Sequence, residues 1–229
     1  MKSSRIGKRV LTVILLILGV LALALGGLFA KQAVLDAVMN DDISGVYQNP
    51  QYQDPVRVEG VTVITQKVSC GYACIEMLSQ WAGSPITENE LFEQNGGTIV
   101  TATEQGFCKE LNLRLPQFTA TMQANLKNTQ FIDEAYDSLA AGKPVPFQFA
   151  ALYRSGDTAV WTLHYAVITG MDIPNDKITI CNPYGYEETY TVKDFLKATR
   201  YESYENMEFY FKLAFAAGYF HKNTLYLFN

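Results

Sequence analysis

An uncharged run of 21 residues, Val10 to Ala30 (VLTVILLILGVLALALGGLFA), constrains this chain more than any other feature. At about 1.5 Å of rise per residue, a helix of that length spans roughly 30 Å, the hydrocarbon thickness of a bilayer. Residues 1–9 before it carry Lys2, Arg5, Lys8 and Arg9, whereas after it Lys31 stands alone until Arg57, among Asp36, Asp41 and Asp42. The excess of Lys and Arg on one flank predicts a cytoplasmic N-terminus and a chain that lies outside the membrane from Lys31 onward. Ala22-Leu23-Ala24 offers a small-x-small exit for a signal peptidase, but the apolar run continues past it. An uncleaved transmembrane signal-anchor over 10–30 is therefore expected, with a secreted domain as the outcome if the segment is removed. No other apolar run reaches spanning length, so a single pass is expected.

Beyond the anchor the composition is that of a folded domain. Setting aside the first four basic residues leaves 14 Lys and Arg against 23 Asp and Glu, a charge of −9. So acidic a surface disfavours nucleic acid as a partner. Residues 31–55 read as a stalk or linker, since Gly45, Pro50 and Pro55 lie in a polar stretch. A single domain is expected over 56–229, long enough to bury a core without staples. Its four cysteines, Cys70, Cys74, Cys108 and Cys181, permit disulfides outside the membrane but are too sparse for a disulfide scaffold.

The first half of that domain reads helical. VRVEGVTVI alternates like a strand, and CGYACIEMLSQW then carries Ala73, Met77, Leu78 and Trp81 at helical spacing before Gly83 stops it. Thr87-x-x-Glu90 and Thr101-x-x-Glu104 read as capping boxes that open two further helices, and FIDEAYDSLAAGKP as another. The second half reads as strands: VPFQFAALY, WTLHYAVITGMD, a turn at Pro174–Asp176, KITICNPYG, and a strand ending in YTV. A short helix KDFLKAT follows, and MEFYFKLAFAAGYF with NTLYLFN would close the chain as a hairpin around His221-Lys222-Asn223. Helices first and an antiparallel sheet second define an α+β fold.

Chemistry concentrates at Ser69-Cys70-Gly71. A cysteine at a helix N-terminus has the positive end of the helix dipole beside it, which favours the nucleophilic thiolate. Gly71 would let a substrate carbonyl approach, the Cys70 N–H would face a developing oxyanion, and the Gln66 amide would supply a second donor. Cys74, one turn on, has no helix terminus and is assigned to packing, the common fate of free cysteine and the competing reading for Cys70 itself. The chain has two histidines, His164 in an apolar strand and His221 in a turn. A core histidine needs a partner for each ring nitrogen, whereas a turn histidine is expected to be solvated. A hairpin turning at Pro174–Asp176 would bring Asn182 beside His164 as its orienting acceptor. Asp172 is the competing orienter, but lies at the far end of the same strand.

Gln66, Cys70-Gly71-x-Ala73-Cys74-x-x-Met77, His164-Tyr165-Ala166-Val167 and Asn182-Pro183 together resemble the papain-like cysteine peptidases. The branch most similar is that of the double-glycine leader peptidases, which process bacteriocin precursors. The resemblance implies a papain-like α+β fold, thiol-based hydrolysis of peptide or amide bonds, and no cofactor. It casts Cys70 as nucleophile, His164 as base, Asn182 as orienter and Gln66 as oxyanion donor. The glutamine stands closer to the nucleophile than is usual in that family, and Asn replaces the Asp common in the branch. Double-glycine specificity is not carried over, because this chain is expected to face outside. A papain-like peptide-binding module without turnover is the alternative reading, and the presence of Cys, His and Asn weighs against it. Thiol–disulfide exchange prefers Cys-x-x-Cys over the Cys-x-x-x-Cys found here, and no ligand pairs have metal-site spacing. A peptide or protein substrate and the membrane are the expected partners, with no metal and no nucleic acid.

Overall fold

The computed structural model describes residues 2–155, 158–201 and 206–229. Helix α1 (Lys2–Met39) runs unbroken through the apolar segment, and its portion Arg9–Met39 is long and apolar enough to cross a membrane. One face of its last turns meets the domain: Gln32 and Met39 are buried, and Leu28, Phe29, Leu35 and Asp36 half-buried. These positions recur at three- and four-residue intervals, the spacing of a single helix face. Asp36 pairs with the buried Lys222 at 2.8 Å.

The segment expected as a linker also packs. Val46 and Tyr52 enter the domain core, and Tyr136 Oη donates to the Asp54 carbonyl at 2.6 Å. Asp41 accepts from the Thr129 backbone N–H in the first turn of α5 (Asn128–Ala140), where a carboxylate is favoured by the helix dipole. Irregular chain rich in Pro and Gly is thus not free chain here, because its apolar members find the core.

The domain is α+β. Helices α2 (Cys70–Trp81), α3 (Glu88–Gln94), α4 (Glu104–Arg114) and α5 precede most of a seven-stranded antiparallel sheet. Its strands are β1 (Val56–Arg57), β2 (Ala120–Gln123), β3 (Val145–Ser155), β4 (Thr158–Asp172), β5 (Lys177–Asn182), β6 (Tyr186–Tyr190) and β7 (Leu225–Phe228). Their order is β2-β7-β3-β4-β5-β6, with β1 pairing the end of β4 beyond β3. Helices α6 (Val192–Thr199) and α7 (Phe209–Ala216) follow β6. Alternation along the strands divides the core in two. Phe147, Ala166, Ile168 and Ile180 face α5 and α6, whereas Tyr165, Val167 and Tyr226 face α2 and α4.

Several local expectations change. VRVEGVTVI forms only the two-residue β1, because Gly60 takes a left-handed φ of +84° that ends the strand. The Thr87–Glu90 capping box is complete. The Thr101–Glu104 one is not: α4 is capped by Thr103, whose side chain accepts from the Gly106 N–H, and Glu104 turns inward to another partner. The expected C-terminal hairpin is also replaced. FYFKLAFA becomes α7, and β7 pairs with β2 and β3 instead. Ala, Leu, Lys and Phe without β-branched residues favour a helix there, and aromatic content alone does not make a strand.

Candidate active site

Cys70 opens α2. The Ser69 side chain caps the helix by accepting from the Tyr72 N–H at 3.1 Å, and Tyr72 Oη donates to the Thr98 carbonyl at 2.7 Å. Along β4, pairing with β5 stops at Val167 opposite Cys181, which leaves the strand edge at His164–Tyr165 open. The N-terminus of α2 lies at that edge, and the backbone N–H of Tyr165 donates toward the Cys70 sulfur. Cys70 therefore lies against the residue that follows His164.

Asn182 ends β5 on the same sheet face as His164, and its Oδ1 lies 3.0 Å from His164 Nε2. The orientation of the amide is fixed by its other partners. Asn182 Nδ2 donates to Glu188 Oε2 at 2.8 Å, and Oδ1 also accepts from the Tyr184 N–H at 3.0 Å. An amide oxygen only accepts, so His164 Nε2 must be the protonated nitrogen of the neutral ring, leaving Nδ1 as the free base. Tyr184 stacks on the imidazole at 4.2 Å, and Phe149, its cross-strand neighbour, meets it edge-on at 5.5 Å. Asp172 bonds Asn175 instead.

The loop before Cys70 closes the arrangement. The Gln66 N–H donates to the Pro183 carbonyl at 2.8 Å, which ties that loop to the residue after Asn182. Among the described residues Gln66 Oε1 is buried with no hydrogen-bond partner, an uncommon state for an amide. Glu88, 3% exposed, accepts from the backbone N–H groups of Lys67, Val68 and Ser69 at 2.9, 2.9 and 3.0 Å. Sequence reasoning gave neither Glu88 nor Glu188 a role: Glu88 acts on a loop 19–21 residues away, and Glu188 reaches Asn182 only through the pairing of β5 with β6.

Three expectations are corrected. Gly71 does not open space for a substrate: a Cβ there would lie 2.5 Å from Thr101 Oγ1, so the glycine lets α2 approach the 98–103 segment. Burial pushes the Cys70 thiol up, outweighing the N–H donors of Tyr165, Gly71 and Cys70 itself, so the helix end alone does not produce a resting thiolate. His221 is not a solvated turn residue. Its Nδ1 lies 2.6 Å from Oε2 of the fully buried Glu104, and that hydrogen bond raises its pKa. Cys74 is fully buried, its thiol pushed well above the usual range by burial, and all four cysteines are free.

Burial lowers the His164 pKa to about 4, against the smaller upward pull of Asn182. The unfolded chain then takes up a proton between pH ~6.5 and ~4 that the native ring refuses, so stability falls as pH drops through that window. The full effect is about 3 kcal/mol. His221 acts in the opposite direction and in a different window, since its contribution is complete below pH ~6.5 and lost as pH rises through its elevated value. Denaturant midpoints at pH 7 and pH 4 should differ less in His164→Gln than in the parent chain. Equal acid sensitivity in the two proteins would contradict a neutral buried His164.

A cleft of about 430 Å³ adjoins Asn182, walled by Phe149, Trp161, Tyr184, Tyr186 and Tyr190 with Glu188 at one side. The family model described as "Peptidase_C39 like family" matches residues 42–211, most of the chain and all of the residues above except His221. Comparison of this chain with curated proteins found no match.

Proposed function

The chain belongs to the peptidase C39-like family, and on that premise we propose that it is a cysteine peptidase working through Cys70, His164 and Asn182. The observation that carries this reading is the hydrogen-bonded series Glu188–Asn182–His164, from which the tautomer follows. Glu188 and Tyr184 fix the Asn182 amide, Asn182 fixes His164 with Nδ1 unprotonated, and Cys70 meets β4 at the adjoining residue. In the free enzyme the pair rests as thiol and neutral imidazole, since burial raises one group and lowers the other.

A bound peptide carbonyl starts the reaction. The Cys70 proton passes to His164 Nδ1 as the sulfur bonds the carbonyl carbon, and the oxyanion is held by the Cys70 N–H and the Gln66 side-chain amide. His164 returns that proton to the amine as the C–N bond breaks. Water then attacks the thioester while His164 takes its proton, and the acid leaves as the proton returns to sulfur. The aromatic cleft beside Asn182 supplies an apolar wall for the peptide. Helix α1 anchors the enzyme, with Lys2, Arg5, Lys8 and Arg9 in the cytoplasm and the domain outside.

Iodoacetamide labelling read at each cysteine by mass spectrometry tests the pair. Cys70 should react while the buried Cys74 does not, and His164→Ala should slow Cys70 alone, because the base that takes its proton is gone. An unchanged Cys70 rate in His164→Ala would rule out the pairing.

A further inference from the structure

Helix α7 reads FYFKLAFA, with Lys212 its one charged residue. A helix apolar nearly all round is at home in a core or in lipid. Only part of α7 is in the core. Phe215 and Ala216 are buried, whereas Phe209, Tyr210 and the nearby Tyr219 are 64%, 62% and 65% exposed. Large aromatics left this open on a water-facing surface lose the stabilisation of burial, so what lies opposite them matters.

The fold indicates what lies there. Helix α7 packs against α1. Within the apolar run Val10–Ala30, the residues that the domain covers at all are Leu28 and Phe29, at its outer end, while those before them are exposed. Just after α7 the chain is fixed at the same level or slightly beyond it. His221 is close enough to Lys31 for that charge to act on its ring, and Lys222 pairs with Asp36 at 2.8 Å. Helix α7 thus lies where the apolar run gives way to Lys31, which is where a spanning helix leaves the hydrocarbon. Trp and Tyr concentrate at that depth, because an amphipathic ring keeps its polar group at the headgroups, and Phe serves on the apolar face that enters the acyl boundary.

We propose that Phe209, Tyr210 and Tyr219 insert into the headgroup–acyl boundary of the membrane that α1 crosses, as a second contact that seats the peptidase domain on the bilayer surface. The inference rests on α1 being a retained anchor. It implies that the domain does not swing on a tether, and that its substrates are peptides presented close to the membrane surface.

The test is photo-crosslinking of the full chain in phosphatidylcholine–phosphatidylglycerol liposomes whose acyl chains carry a diazirine, with adducts mapped by mass spectrometry. Adducts are expected both within 10–30 and within 209–219. The triple variant Phe209→Ser, Tyr210→Ser, Tyr219→Ser should lose the second set, at least tenfold, and keep the first. Adducts confined to 10–30 in the parent chain would overturn the proposal while leaving the anchor standing. Adducts at 209–219 with none within 10–30 would overturn α1 as the anchor and the proposal that rests on it. No adducts in either region would overturn both.

Discussion

Cys70→Ser should reduce peptide hydrolysis by roughly 10³-fold or more, the scale on which losing a nucleophile acts in a triad, while Cys74→Ser leaves turnover close to that of the parent chain. The two cysteines share a helix and lie one turn apart, so the comparison is stringent. Cys70 is partly exposed at the capped start of α2, with the Tyr165 N–H directed at its sulfur. Cys74 is fully buried among Tyr72, Leu78 and Val167, with no opening toward a substrate. Serine at 70 keeps the shape but replaces a thiol by a much weaker acid, which His164, lowered to about 4 by burial, is a poor base to deprotonate. Serine at 74 places a hydroxyl in an apolar core and should lower stability by about 1–3 kcal/mol without touching the chemistry. Rates measured on a peptide mixture, with folding checked by denaturant midpoint, decide the matter. Activity surviving in Cys70→Ser and lost in Cys74→Ser would exchange the roles of the two cysteines.

What the sequence displays is local. The α2 and α5 helices, the Thr87 capping box and the turn at Pro174–Asp176 each follow from a pattern within about a dozen residues. The structure carries all of them. The β4–β5 hairpin even sets the His164–Asn182 contact, because its register puts both side chains on one face. Contacts between distant segments are less legible. Thr101-x-x-Glu104 has the spacing of a capping box, yet the cap is Thr103, and Glu104 turns inward to His221, 117 residues away. Gly71 reads as an opening for substrate, yet its space is filled by Thr101, 30 residues on. The thiol chemistry misled for a related reason. A helix N-terminus is visible in sequence, whereas the burial that outweighs it depends on packing against β4, which the chain reaches only later.

Glu88 is the strongest case of such a long-range role, and its removal should be costly. One buried carboxylate accepts three consecutive backbone N–H groups in the loop that joins Gln66 to Cys70, while its own N–H donates to Glu76 at 2.8 Å. Glu88→Ala leaves those three donors without their acceptor in a partly covered loop, and a loss of about 2–4 kcal/mol in stability is expected. The same loop sets where Gln66 and the Cys70 N–H stand, so kcat/KM should fall with it, by roughly 10²-fold if the donors shift by about 1 Å. Glu88→Gln separates position from charge. It keeps the shape and one oxygen but turns an NH₂ toward at least one donor, so hydrolysis should still drop. Yet the Glu88 charge is also a minor contributor, after burial, to the raised Cys70 pKa, so removing it should ease alkylation of Cys70 toward lower pH. Slower hydrolysis together with a more readily ionised thiol is the signature of a carboxylate that holds the loop rather than tunes the nucleophile. Parent-like stability and kcat/KM in Glu88→Ala would mean that Ser69 and Tyr72 fix the start of α2 without it.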